Sequence, residues 1–222
     1  MAQWTKYLDF VTNVPPPAAD LCFFSSNTWL QPYLNTTSLY KPVPFFARFD
    51  KGGTFDRFFN TTINTSETVP YAIGLMRRDD DWKRQVRAVA ESEAVRDTSV
   101  PIGPKPVEAD FILLVRLREN VSGFESTAHG GFLGALFDEG MSACIETVRQ
   151  AGPEQLGQLF TANLNVTFRA PVALPGTYMI AIWLVRRDGR KWFVEGKMVG
   201  TDGSVIAKAE ALWISTKAES KV

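Results

Sequence analysis

The 222-residue chain holds a single histidine, His129, in the run His129-Gly130-Gly131 that opens an apolar stretch. One imidazole cannot build a histidine-rich metal site, and Cys22 and Cys144, the only cysteines, supply neither a thiolate cage nor a disulfide framework. No Gly-x-Ser-x-Gly turn occurs, which removes the common serine hydrolase arrangement. What remains is the backbone. If the apolar stretch is helical, its first N–H groups are unpaired and carry partial positive charge, and glycines let a ligand oxygen approach them. Such donors can stabilise a carbonyl oxygen that gains charge during acyl transfer, and loss of one typically raises the barrier by roughly 3 to 4 kcal/mol. Further along the same stretch stand Asp138 and Glu139. A carboxylate in apolar surroundings is costly unless paired or used. Either acid could act as general base on water or as nucleophile on an acyl carbon. The alternative is that Glu139 faces solvent or pairs with an arginine while Asp138 bonds local backbone.

These groups need a scaffold, and the pattern around them describes one. Residues 131–150 read as a helix ended near Gly152-Pro153, and its first half is apolar nearly all round (Phe132, Leu133, Ala135, Leu136, Phe137), which marks burial on most sides. Residues 110–119 alternate as a strand, with Phe111, Leu113, Val115 and Leu117 against Arg116 and Arg118, and residues 122–128 form a loop. Downstream, residues 161–169 alternate strictly, with Ala162, Leu164, Val166 and Phe168 on one face and Asn163, Asn165, Thr167 and Arg169 on the other. Runs 178–186, 191–200 and 205–214 are separated by Asp188-Gly189 and Asp202-Gly203, strong hairpin signals. The expected class is α+β, an antiparallel sheet wrapped around a central long helix.

The N-terminal part is less regular. Residues 1–53 are rich in proline and aromatics without a period and are expected to form an irregular extension, with the main domain at 54–218 and its core at 110–215. Phe55, Phe58, Phe59 and Ile63 recur at helical spacing ahead of Pro70. Residues 79–96, with Trp82, Val86 and Val89 on one side, predict a charged amphipathic helix, and three prolines in 100–106 predict a linker. Lys plus Arg equals Asp plus Glu at 24 each, so no global field draws nucleic acid or an anionic membrane. With no apolar window of about 18 residues and no leader pattern, the expectation is a cytoplasmic protein without a membrane span. Triplets at Asn35, Asn60, Asn64, Asn120 and Asn165 fit a glycosylation pattern but read as chance without an entry signal, and both cysteines are expected as buried thiols.

The run from His129 to Asp138, His-Gly-Gly-Phe-Leu-Gly-Ala-Leu-Phe-Asp, resembles the signature of PaaI-like hotdog thioesterases, in which an acidic residue follows nine positions after the histidine. The segments 161–171 (Thr-Ala-Asn-Leu-Asn-Val-Thr-Phe-Arg-Ala-Pro) and 189–194 are similar to the same group, so the likeness spans about 110–215, and 54–78 weakly resembles an N-terminal element of fungal relatives. The resemblance implies a hotdog fold paired as a homodimer, often doubled to a tetramer, with active sites at the dimer interface. It implies an acyl-CoA or acyl-carrier substrate, coenzyme A entering only as part of that substrate, with no cofactor and no metal. By the same likeness the Gly130 N–H, with Gly131, polarises the thioester carbonyl beside His129, Asp138 of the partner subunit delivers or replaces the attacking water, and Thr161 is a helper hydroxyl. One departure stands out: many relatives carry asparagine six residues before the histidine, where this chain has Gly123, so that role is missing or falls to Ser122, Ser126 or Thr127. Ser126, Thr127, Glu139, Asn163, Arg169, Arg190 and Lys191 are the candidate substrate contacts. Arg169, Arg186, Arg187, Arg190 and Lys191 are either a phosphate site for coenzyme A or a solvated rim, and a carrier's pantetheine arm could use the same entrance. Trp29, Phe45, Phe46, Phe58 and Phe59 either pack in the core or lid an acyl pocket. The expected activity is thioester hydrolysis; the alternative is a hotdog protein that binds a thioester or polyketide, or that dehydrates or rearranges it.

Overall fold

The computed structural model describes residues 6–78, 98–100, 106–151 and 157–217. The charged helix expected at 79–96, most of the 100–106 linker and the Gly152-Pro153 stop lie outside the described residues. In chain order come α1 (Tyr7–Asn13), α2 (Ala18–Ser25), α3 (Gln31–Leu34), β1 (Tyr40–Pro44), β2 (Tyr71–Arg77), β3 (Phe111–Leu117), β4 (Ser122–Phe124), β5 (Thr127–Ala128), α4 (Gly130–Gln150), β6 (Leu159–Phe168), β7 (Gly176–Asp188), β8 (Lys191–Val199) and β9 (Val205–Ser215). Seven strands form one sheet in the order β1-β2-β3-β7-β8-β9-β6, every neighbouring pair antiparallel. The 21-residue α4 packs along one face of it, and this is the expected hotdog arrangement. The two glycine turns behave as read: Gly189 (φ +54°) and Gly203 (φ +79°) take backbone conformations that side chains resist.

Packing explains the elements. On the inner face, Leu113, Val115, Ile180, Ile182, Met198 and Ala209 meet Leu136, Phe137, Met141 and Cys144 of α4 in one continuous core. The helix lies close to the sheet where side chains are absent: a Cβ on Gly140 would sit 2.8 Å from Ile182, and one on Gly196 would sit 2.9 Å from Met141. The outer face is buried too, over the strands nearest β1. Ile73, Leu75, Ile112, Leu114, Ala181 and Trp183 form a second core with Phe24, Leu30, Tyr33 and Tyr40. Strand β3 is therefore buried on both faces, which is why it reads Phe-Ile-Leu-Leu-Val rather than as a clean alternation.

The extension is more ordered than its composition suggested. It folds into three short helices and an edge strand, so the sheet begins at Tyr40, upstream of the boundary expected at 53, and β2 also precedes the core expected at 110–215. Burying Phe24 and Leu30 on the outer sheet face supplies the driving force that periodicity did not display. A polar clamp fixes the join: Asp20 accepts from Arg48 at 2.8 Å and from the Ala72 N–H at 3.1 Å. Phe45 and Phe59 pack in the inner core, and Phe58 stays half-exposed. Of the helical pattern at 55–63 only one short turn forms, at Phe58–Thr62, before the chain enters β2. Cys144 is buried as expected, whereas Cys22 is exposed on α2. Among the described residues, no helix is long and apolar enough to cross a membrane.

The two sheet edges differ. Strand β1 carries Pro42 and Pro44, residues that cannot donate to a further strand. Strand β6 spans ten residues without a proline or a charge, and among the described residues its outer edge has no strand beside it.

Candidate active site

His129 is the N-cap of α4, with φ −67° and ψ 127°, and its Nδ1 accepts the Gly131 N–H at 3.0 Å. A neutral imidazole accepting at Nδ1 carries its proton on Nε2. The Gly131 amide, expected to share the carbonyl, is thus already bonded, and among the described residues the Gly130 N–H has no acceptor. Gly130 lines a cavity of about 570 Å³ whose walls include Phe124, His129, Leu133, Phe168, Arg169 and Val172. The Phe168 ring lies directly on the glycine, 3.3 Å from where a Cβ of Gly130 would be. Phe124 and Phe168 remain 81% and 49% exposed, so the cavity mouth is aromatic and open.

Asp138 and Thr161 form the second constellation. Thr161 Oγ1 donates to Asp138 Oδ1 at 2.8 Å. Burial pushes the Asp138 carboxyl above the ordinary aspartate range, and the Thr161 hydroxyl offsets part of that rise. Strict alternation would put Thr161 on the same face as Asn163. A bulge between Thr161 and Asn163 inserts Ala162 as an extra residue, so Thr161, paired with Trp213, faces α4, while Asn163, paired with Leu212, faces away from it. Thr161 thereby reaches the acid, and Asn163 does not share its site.

Beside Asp138, Glu139 is half-buried and its carboxyl is pushed up to about 7, first by burial, with Asp138 adding and Lys51 opposing. Lys51 is lowered to about 8 by burial; it bonds Asp56 and lies 3.9 Å over the Phe46 ring. Sequence reasoning missed this lysine, which sits in a Gly-rich turn of the extension with no periodic signal. The remaining candidates separate. Thr127 lines the cavity, but Ser126 does not; it holds φ +52° in the β4–β5 turn, where its carbonyl accepts the Leu174 N–H. Gly123 presses on His129, where a Cβ would meet the His129 Cα at 3.0 Å, so no side chain replaces the asparagine of relatives there. Arg169 lies at the cavity, whereas Arg190 and Lys191 lie at the β7–β8 turn, beside the far end of β6 and roughly 30 Å away at about 3.3 Å per strand residue. Arg190 bonds the Ser215 carbonyl there, and Arg186 and Arg187 stack on Phe193 and Trp192. The expected basic cluster is therefore split.

A family profile described as the thioesterase superfamily matches residues 125–207. The match covers 83 of the 222 residues, under half of the chain. The segment runs from the β4–β5 turn into β9 and carries α4 whole, with Gly130, Asp138 and Thr161 inside it. Similar solved structures include a hypothetical thioesterase of Streptococcus pneumoniae with coenzyme A, at 12% identity over 64% of this chain and 100% of that one (TM-score 0.44). Another is smu.793 of Streptococcus mutans bound to acetyl CoA, at 17% identity over 49% and 82% of the two chains (TM-score 0.42). The PaaI protein of E. coli is similar at 12% identity over 49% and 73% (TM-score 0.42). Within the matched residues, Gly130 and Asp138 are eight residues apart, about 12 Å along the helix at 1.5 Å per residue. Two turns of helix thus separate the acid of one chain from its own Gly130 amide.

Proposed function

We propose that the protein hydrolyses acyl thioesters, such as acyl-CoA or carrier-bound acyl groups, in a site completed by two copies of the chain. The observation that carries this reading is the unpaired Gly130 N–H at the wall of an apolar cavity, at the positive end of α4. Uncharged, proline-free β6 is a template for a further strand. If two copies pair antiparallel through β6 with Thr161 opposite Phe168 of the partner subunit, each Asp138–Thr161 pair is brought toward the other copy's Gly130 cavity. The resulting geometry supplies the acid that a single chain keeps about 12 Å from its own glycine.

In the proposed reaction the acyl group enters the aromatic cavity and its carbonyl oxygen accepts the Gly130 N–H. Water adds to the carbonyl carbon and passes a proton to the Asp138 carboxylate across the interface. Negative charge collects on the carbonyl oxygen at the amide donor. The C–S bond then breaks, and the thiolate leaves with the proton from Asp138. His129 fixes the loop by bonding Gly131 and leaves the neighbouring amide for substrate.

The test is incubation of the purified protein with acyl-CoAs of graded length and bulk, following free thiol and acid together. Thiol release that falls steeply in Asp138→Ala supports the proposal. No turnover on any substrate, or full turnover by Asp138→Ala, refutes it. An altered acyl group still joined to sulfur, seen by mass spectrometry, favours dehydration or rearrangement instead.

A further inference from the structure

The basic residues that one chain holds apart are brought together by two. Arg190 and Lys191 are exposed at the β7–β8 turn, and Arg169 is exposed at the Gly130 cavity. Among the described residues the side chains of Arg169 and Lys191 have no hydrogen-bond or ion-pair partner. The Arg190 guanidinium is turned toward β6: its Nη1 donates to the Ser215 carbonyl at 2.9 Å, and Ser215 is paired with Leu159, the first residue of β6. Strand β6 therefore has Arg190 beside its start and Arg169 just past its finish. In residues 186–191 one acid, Asp188, stands among four basic residues, so the turn stays cationic. Two copies joined antiparallel through β6 lay the start of one strand against the finish of the other. With Thr161 opposite Phe168 of the partner subunit, Phe160 falls opposite the partner subunit's Arg169. From there to Ser215, where the Arg190 guanidinium is bonded, is two strand spacings, about 10 Å at 4.8 Å each.

We propose that Arg169 of one copy and Arg190 and Lys191 of the other form one site for the phosphate end of a pantetheine thioester, a role that rests on the two-copy hydrolytic reading. Arginine grips phosphate through paired N–H donors, and lysine adds a point charge. The length of the arm fits. A thioester at the Gly130 amide starts beside the Phe168 ring, which packs on that glycine. The phosphate lies roughly a dozen bonds from the sulfur, about 14 Å at the 3.3 to 3.6 Å that an extended chain gains every three bonds. That span carries it past Phe168 and Arg169 to the turn of the neighbouring copy. Coenzyme A and a carrier protein's arm both present such a phosphate, and the experiment separates them.

Arg169→Ala, the double variant Arg190→Ala with Lys191→Ala, and the wild type are compared on one acyl group carried by coenzyme A, by phosphopantetheine and by pantetheine, which has no phosphate. Calorimetric titration with free coenzyme A runs in parallel, and thermal melts check folding. Either variant should raise KM for acyl-CoA about tenfold, the low end for a lost bond to a charged group, and lower the preference in kcat/KM over acyl-pantetheine by the same factor. A preference that phosphopantetheine alone reproduces assigns the site to the single phosphate of a carrier's arm; one that needs the nucleotide assigns it to coenzyme A. The two variants are then coexpressed with different tags and the mixed dimer is purified. One of its two sites joins an intact Arg169 to an intact turn, so half of the sites should regain the wild-type KM. A mixed dimer as weak as its parents, or folded variants that keep the wild-type preference, overturns this inference alone. A wild type that releases no thiol overturns the hydrolytic reading; weaker coenzyme A binding in the variants then still upholds the phosphate site, and unchanged binding overturns it as well.

Discussion

Replacing Gly130 by proline removes the single N–H on which the proposed chemistry turns while leaving the fold in place. Gly130 is the first residue of α4, a position where proline is favoured because the amide has no helical partner. The residue before a proline must be extended, and His129 already is, at φ −67° and ψ 127°. The added ring atoms meet Phe168, which a Cβ would approach to 3.3 Å, so that exposed ring must shift by a few tenths of an ångström. Gly130→Ala imposes the same Cβ and keeps the amide, and the ratio of the two variants isolates the donor. An oxyanion donor is worth about 2.7 to 4 kcal/mol, so kcat of Gly130→Pro should fall about 100-fold to 1,000-fold below that of Gly130→Ala. Thiol release from acyl-CoA under saturating substrate is the assay, with melting temperatures of both variants in parallel. Equal kcat in two folded variants would refute the assignment of the Gly130 amide as the carbonyl donor.

Three further outcomes follow from the same geometry. Thr161→Val removes the hydrogen bond that lowers the raised Asp138 carboxyl, so the acid limb of kcat/KM against pH should move to higher pH, and an unmoved limb would contradict the contact. Glu139 binds its proton more tightly folded, at about 7, than at its ordinary 4.5, so it costs stability increasingly as pH rises between those values and fully above about 7. Glu139→Gln should therefore gain on the wild type in urea unfolding as pH rises through that window, and a gain independent of pH would contradict it. His129→Ala loses the cap on Gly131 and should cost about 1 kcal/mol, a drop of about 2 to 4 °C in melting temperature by calorimetry.

The fold was legible where one face of an element is buried and the other wet, and obscure elsewhere. The order of β3, α4 and β6 to β9 could be read from apolar spacing and from the turns at Asp188-Gly189 and Asp202-Gly203. Strand β2 could not, because Tyr71–Arg77 is covered on both sides and lacks a period. The extension was obscure for a related reason: its helices run only four to eight residues and are held by the sheet they cover. In the site, the helix N-terminus and Asp138 follow from local sequence. The orientation of Thr161 does not, since one bulge reverses the face that alternation predicts. Nor does Lys51, whose charge acts on Glu139 only because tertiary packing brings the extension beside α4. Arg190 and Lys191 looked close to Arg169 because hairpin ends were treated as one rim, whereas the strands carry them to opposite ends.

The helices at the start of the chain also decide what can be cut away. A fragment trimmed to the profile match, 125–207, would lose Phe24, Leu30, Tyr33 and Tyr40 and uncover Ala181 and Trp183, and it would also lose β3, the strand between β2 and β7. Even a fragment starting at β2 would leave Ile73, Leu75, Ile112 and Leu114 bare to water, a sticky sheet that should clump on expression and mask any turnover. Minimal versions of this protein for kinetic assay must keep residues 18–44, although none of them lines the Gly130 cavity.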